Sequence, residues 1–116
     1  NETMMAFASL YGSYTAISKC TDNTKRALVY GVGNFYLANE KYINQEYFIE
    51  KFIDIYKKGY FEGKEIIKPD EIKNCQFDKL IVMIYDQKIS MDIFEQMVNL
   101  YNVPEDKIEI GALKYK

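Results

Sequence analysis

Apolar residues follow two kinds of spacing along the chain, namely continuous runs and positions that recur every three or four residues. Nearly continuous runs at residues 27–30, 48–55 and 80–85 predict strands. Strands that are apolar on both faces are typical of a parallel sheet covered by helices on both sides. Shorter strands are expected at residues 66–67 and 107–110, so the pattern predicts five strands.

Segments with helical spacing separate these strands. Apolar steps of three and four predict a helix over residues 35–47, with Asn34 as its N-cap, and another capped by Ser90. Pro69 predicts a short helix over residues 69–74, because proline suits the first turn. The helix after Ser90 is expected to face the sheet through five residues: Met91, Phe94, Met97, Val98 and Tyr101.

The N-terminal segment differs from the remainder of the chain. Residues 4–18 have helical spacing, and the polar residues 19–25 predict the loop that ends this extra helix. We therefore divide the chain into an N-terminal helix and loop, residues 1–25, and one domain over residues 26–116. The alternation of strands and helices predicts an α/β domain with a mostly parallel five-stranded sheet and right-handed crossovers.

Composition and charge exclude several functions. The 116 residues include no histidine, which excludes histidine-based catalytic triads and histidine metal ligands. A net charge of −2 lacks the positive excess that nucleic-acid backbones require, so nucleic acid is not an expected partner. Membrane insertion is not expected either, since the apolar runs are too short. With no recognisable secretory signal, and Cys20 far from Cys75, we expect a cytoplasmic protein with free thiols; a single disulfide in a secreted protein is the alternative.

A glycine turn after the first predicted strand is the most informative chemical signal. Gly31 and Gly33 would let a pyrophosphate approach the backbone where the next helix begins at Asn34. Asp54 ends the second strand 21 residues beyond Gly33, the spacing at which dinucleotide folds place an acid on ribose hydroxyls. Tyr36 stands where the third glycine of that pattern is usual. The alternative is a tight turn and a strand-end acid with no ligand.

Weaker candidates lie nearby. Asp86 follows the central strand at the edge where open α/β sheets bind ligands, or it is a loop acid that starts a turn. Lys57 and Lys58 either contact a ligand phosphate near Asp54 or are solvated in a loop. Aromatic residues of the N-terminal helix either form a dimer surface or pack on the sheet. No spacing of carboxylates or nucleophiles indicates a catalytic residue, and no metal site is predicted.

The order and spacing of several short motifs resemble a known family. They lie at residues 28–33, 52–54, 63–72, 77–82 and 103–108. The pattern resembles the small Rossmann-like nucleotide-binding domain attached to bacterial sugar-modifying and cell-surface polysaccharide biosynthesis proteins, over about residues 26–110. The resemblance implies a Rossmann-like three-layer fold and a role for Gly31, Gly33 and Asp54 in binding NAD(P) or a nucleotide-linked sugar. It also implies that catalysis belongs to another domain or chain.

Two other classes of protein fit the same pattern. A fragment of an S-adenosylmethionine-dependent methyltransferase also has a glycine turn after its first strand and an acid after its second, although such enzymes usually carry further strands. A ligand-free interaction module would use the sheet as a scaffold and the N-terminal helix as a homodimer contact. Apolar side chains filling the crevice above Gly33 would favour the module, whereas an open crevice would favour a nucleotide-type ligand.

Overall fold

The structure is a computed structural model, and it describes residues 25–115. Six strands form one sheet within these residues: β1 (Lys25–Tyr30), β2 (Tyr47–Ile53), β3 (Gly59–Phe61), β4 (Lys64–Ile67), β5 (Lys79–Val82) and β6 (Ile108–Ile110). The α-helices are α1 (Asn34–Glu46), α2 (Gln87–Asn99) and α3 (Gly111–Lys114), and 3-10 helices span Pro69–Asn74 and Glu105–Lys107. The predicted N-terminal helix lies outside the described residues.

The prediction of an α/β domain with a mostly parallel sheet is confirmed. The strand order is β3-β4-β2-β1-β5-β6, and every neighbouring pair is parallel except β3 and β4. All five predicted strands are present, although β5 ends at Val82 rather than at residue 85. Because the buried runs of β1 and β5 lie in the middle of the sheet, both of their faces are covered, as the continuous apolar pattern predicted.

The prediction of five strands is wrong, because β3 adds a sixth. The segment was expected to be a charged loop, but it pairs with β4 as an antiparallel hairpin. The hairpin turn consists of Glu62 and Gly63, which both have positive φ (51° and 79°), as a two-residue type I′ turn requires. A three-residue strand beside charged residues leaves too little periodicity for a sequence pattern to detect.

Two hydrophobic clusters pack against opposite faces of the sheet. Leu28 and Tyr30 of β1 belong to the cluster that contains Ile93 and Met97 of α2. The alternate residues of β1 contact the other cluster, which includes Tyr36 and Ile43 of α1. Since successive side chains of a strand point to opposite faces, the helices α1 and α2 cover opposite sides of β1.

The helix starts differ from the predicted ones. Gly33 is the N-cap of α1, so Asn34 is its first helical residue rather than its cap. Helix α2 starts at Gln87 because the side chain of Asp86 accepts a hydrogen bond from the backbone N–H of Ile89. Ser90, the predicted cap, is buried inside that helix. Of the residues expected to face the sheet, Met91 is 43% exposed, whereas Met97 is buried and the other three are partly buried: Phe94, Val98 and Tyr101.

Candidate functional site

The strand order reverses direction between β1 and β5, and a crevice opens at their carboxyl ends. From β1 the chain moves through α1 to β2 and on to β4, then crosses back to β5 and β6 on the other side of β1. Loops that leave two neighbouring parallel strands in opposite directions leave a gap between them, and open α/β sheets bind ligands at that position. This crevice contains the candidate site.

The crevice has two recesses that share Gly31, Asp54 and Ile84. The larger recess, of about 400 Å³, lies against α2, and the smaller, of about 330 Å³, lies against the first turn of α1. Both volumes are within the range of small-molecule sites, about 300–1,000 Å³. The larger recess has mainly apolar walls: Tyr30, Ile55, Tyr56, Ile84, Ile89 and Ile93.

Gly31 is a glycine because the surrounding protein requires one. Its φ is +113°, a conformation that other residues rarely adopt, and a Cβ atom there would lie 2.6 Å from the carbonyl oxygen of Met83. Its backbone N–H donates a 3.0 Å hydrogen bond to the carbonyl oxygen of Ile53. Gly31 therefore links the end of β1 to the ends of the neighbouring strands β2 and β5.

Gly33 is surrounded by open space. Its φ of −148° is available to any residue, and a Cβ atom added to it would have no atom within 4 Å. Gly33 lines the smaller recess together with Asn34 and Phe35, the first two residues of α1. Helix α1 has no side-chain cap and no acidic residue in its first turn. No carboxylate of the first turn therefore accepts hydrogen bonds from the backbone N–H groups at this helix end. These N–H groups can donate to a bound anion instead.

Asp54 lies where the two recesses meet. Its Oδ1 atom accepts hydrogen bonds from the backbone N–H groups of Tyr56 (2.8 Å) and Lys57 (2.9 Å), so the loop after β2 folds around the carboxylate. Its Oδ2 atom accepts no hydrogen bond from the described residues. Burial, and next the negative charge of Asp54, raise the pKa of the Tyr30 phenol. The crevice thus places a carboxylate beside a neutral phenol.

Two lysines hold the loop after β2 in place. Lys57 donates from Nζ to the carbonyl oxygen of Val32 at 2.6 Å. Lys68 donates to the carbonyl oxygens of Ile55 at 2.9 Å and Asp54 at 3.3 Å. Lys57 was expected either to contact a ligand or to be solvated; it is exposed, and it also connects two walls of the crevice.

Asp86 lies outside the crevice. It is exposed, caps α2, and is not among the residues that line either recess. The structure therefore favours the alternative in which Asp86 starts a turn. Ser90, one turn further along α2, bonds through Oγ to the carbonyl oxygens of Ile84 and Asp86, both at 2.9 Å. This contact holds Ile84 in the crevice wall.

Tyr36 packs into the core and leaves the crevice open. Its ring makes edge contacts with Phe52 at 5.1 Å and Phe61 at 5.9 Å between centroids. Its hydroxyl donates to Glu62 at 3.4 Å, and burial followed by the negative charge of Glu62 raises the pKa of the phenol. The third glycine position of the pattern is thus filled by a core residue that lines neither recess.

The sequence analysis did not predict the residues that α2 contributes. Asp92 and Gln96 line the larger recess together with Ile89 and Ile93. Only their placement four residues apart could have indicated a shared helix face. The sequence analysis also did not assign a role to Tyr56, which is 85% exposed in the same recess.

The described residues contain no group of three or more His, Cys, Asp or Glu side chains placed to hold a metal ion. Between residues 25 and 115, no helix is long and apolar enough to cross a membrane. Cys75 is a free, partly buried thiol, and burial raises its pKa. Cys20 lies outside the described residues.

The sheet and crevice define an α/β domain with a ligand-sized opening at the carboxyl ends of β1 and β5. Residues 23–109 match the family described as C2185-like, N-terminal. The match spans more than half of the chain, so the chain belongs to this family. No curated protein matches the chain.

Proposed function

We propose that residues 25–115 form a Rossmann-like nucleotide-binding domain whose crevice binds a nucleotide-type ligand. The observation that carries this proposal is the position of Asp54, which lies where the two recesses meet at the reversal of strand order. In this arrangement the base occupies the larger recess, Asp54 accepts hydrogen bonds from the ribose, and the phosphates lie beside Gly33.

The sheet topology supports a Rossmann-like three-layer arrangement. Counted along the chain, the five parallel strands are β1, β2, β4, β5 and β6, and their spatial order is 3-2-1-4-5. This is the order in which dinucleotide-binding sheets begin. The helices α1 and α2 contact separate hydrophobic clusters on opposite faces, which supports the three layers.

The shapes of the recesses favour this proposal over the two alternatives. A ligand-free module would fill the crevice, but the space beside Gly33 is open. The first turn of α1, which lacks an acidic residue, suits the phosphates of NAD(P) or of a nucleotide-linked sugar. S-Adenosylmethionine carries no phosphate, so we rank a methyltransferase fragment second.

We assign no catalytic residue to this domain. Catalysis would belong to an attached domain or to a partner chain. A role in bacterial sugar or cell-surface polysaccharide modification rests on the sequence resemblance, as does the expected cytoplasmic location. A homodimer through the N-terminal helix remains a separate prediction.

Isothermal titration of the whole chain with NAD⁺, NADP⁺, UDP-glucose and S-adenosylmethionine tests the proposal. Asp54→Asn removes the charge but keeps an oxygen that can accept the two backbone hydrogen bonds of the loop. We expect this variant to bind a nucleotide about tenfold to a hundredfold more weakly, because a hydrogen bond to a charged group contributes about 1.5–3 kcal/mol.

Asp78→Asn is the matched control. Asp78 also accepts a backbone hydrogen bond, from Arg26 at 2.8 Å, but it lies before β5 at the opposite edge of the sheet. Its substitution should leave affinity unchanged. Equal affinity in both variants would place the ligand elsewhere, and no binding of any of the four ligands at millimolar concentration would contradict nucleotide binding by this chain. Binding of S-adenosylmethionine alone would favour the methyltransferase alternative.

A further inference from the structure

Two polar side chains that line the larger recess lie on α2. Asp92 and Gln96 are four residues apart, so they lie on the same side of the helix, next to Ile89 and Ile93. Both are exposed, and neither side chain makes a hydrogen bond or ion pair with another residue in the range 25–115. Besides Asp54, the recess therefore has mainly apolar walls and a polar edge on α2.

The chemistry of this edge distinguishes between nucleobases. An ionised carboxylate only accepts hydrogen bonds, so Asp92 matches an N–H group and repels a carbonyl oxygen. The Gln96 amide both donates and accepts, so it can pair with the ring nitrogen beside an amino group. Adenine presents an amino group next to ring acceptors, whereas uracil presents a carbonyl oxygen in the corresponding place.

We propose that Asp92 and Gln96 form hydrogen bonds with the edge of the base and make the larger recess selective for an amino-bearing base of the adenine class over uracil. This inference rests on the proposed nucleotide site and narrows its substrate class. The ligand is then an adenine nucleotide, and a uridine-linked sugar is disfavoured. Asp54 and the first turn of α1 bind the ribose and phosphates that both kinds of ligand share, so selectivity resides in α2.

A pair of dinucleotides that differ only at one edge of the base tests this assignment. Nicotinamide hypoxanthine dinucleotide replaces the 6-amino donor of NAD⁺ with a carbonyl oxygen, and its neighbouring ring nitrogen N1 changes from an acceptor to an N–H donor. In calorimetric titrations of the whole chain we expect NAD⁺ to bind about tenfold more tightly, because the hypoxanthine analogue loses a charge-assisted hydrogen bond to Asp92. UDP-glucose, titrated alongside, is expected to bind more weakly than NAD⁺.

Asp92→Asn should reduce the preference for NAD⁺ to within about twofold, because a side-chain amide can present either its oxygen or its NH₂ group. Glu95→Gln is the matched control. It removes the same charge from the same exposed helix, but Glu95 does not line the larger recess, so the tenfold preference should persist. Thermal unfolding of both variants checks that the fold is retained.

The outcomes separate this inference from the proposed function. If NAD⁺ and its hypoxanthine analogue bind equally, or if Asp92→Asn keeps the full preference, base reading by Asp92 is wrong while the nucleotide site stands. If UDP-glucose binds more tightly than NAD⁺, the selectivity for adenine is wrong, and the nucleotide site again stands. If none of the three compounds binds at millimolar concentration, both the nucleotide site and its selectivity are overturned.

Discussion

Alanine substitutions at the two turn glycines should have opposite consequences. At Gly31, alanine must adopt a φ of +113°, with its Cβ atom 2.6 Å from the carbonyl oxygen of Met83 and 2.9 Å from Cδ1 of Ile84. At Gly33, alanine keeps an ordinary φ and meets no atom within 4 Å. Gly31→Ala therefore tests the packing of the strand ends, and Gly33→Ala tests the open recess.

The magnitudes follow from these two geometries. A strained backbone costs about 1–3 kcal/mol. Overpacking against a neighbour costs about 1–3 kcal/mol more, and at Gly31 the nearest neighbour is backbone that cannot rotate away. Gly31→Ala should therefore lower the free energy of unfolding by about 2–6 kcal/mol. Gly33→Ala replaces an N-cap glycine with the less favourable alanine and causes no steric clash, so its cost should be about 1 kcal/mol.

Thermal unfolding followed by circular dichroism measures the difference. One kcal/mol shifts Tm by about 4–8 °C in a domain of this size, so Gly31→Ala should lower Tm by at least about 8 °C. Gly33→Ala should lower Tm by no more than about 4–8 °C, yet weaken NAD⁺ binding, because its methyl group enters the smaller recess. A Tm for Gly31→Ala within about 3 °C of the unmodified protein would refute the argument from the crowded turn. Unchanged NAD⁺ affinity in Gly33→Ala would refute the position assigned to the phosphates.

Three further predictions concern the crevice and the core. Tyr56→Ala should weaken NAD⁺ binding about fivefold to a hundredfold, because aromatic stacking on a base contributes about 1–3 kcal/mol. Tyr60 is also largely exposed but lies outside both recesses, so Tyr60→Ala should not change the affinity measured by calorimetry. Ser90→Ala should lower the free energy of unfolding, measured by urea denaturation, by about 1 kcal/mol, because the buried hydroxyl that donates to the carbonyl oxygens of Ile84 and Asp86 is lost. A urea midpoint equal to that of the unmodified protein would contradict this role. Burial, and next the charge of Glu109, raise the pKa of Tyr47 from 10.0 to about 12, so the folded state holds this proton more tightly than the unfolded state. Stability should therefore be unaffected by this group below pH 10 and should fall between pH 10 and about 12; urea titrations across that window should give a shallower decline for Tyr47→Phe.

Local sequence patterns predicted most of the regular elements. The apolar runs of β1 and β5 and the helical spacing of α1 reflect side-chain periodicity, which needs no knowledge of distant residues. At the start of α2 the pattern predicted Ser90 as the cap, and the cap is Asp86. Asp86 and Ser90 both suit the start of α2, and the choice depends on tertiary packing, because Ser90 is buried and bonds to Ile84.

Part of the candidate site was also accessible from the sequence. Gly31, Gly33 and Asp54 were predicted at one edge of the sheet because the carboxyl ends of parallel strands meet there. Their separate roles were not predictable. A Cβ atom on Gly31 would clash with Met83, which is 52 residues away along the chain, whereas a Cβ atom on Gly33 would meet no atom within 4 Å; in the sequence the two glycines look alike.

The sequence by itself determined that this chain forms an α/β domain with a buried parallel sheet, because the spacing of apolar residues specifies which faces of each element are covered. Only the tertiary structure decided the strand order, the sixth strand and the meeting of Asp54 with Asp92 and Gln96 in one crevice. Those features depend on contacts between residues far apart in the chain. Such contacts arise from packing of the whole domain, and local periodicity does not encode them.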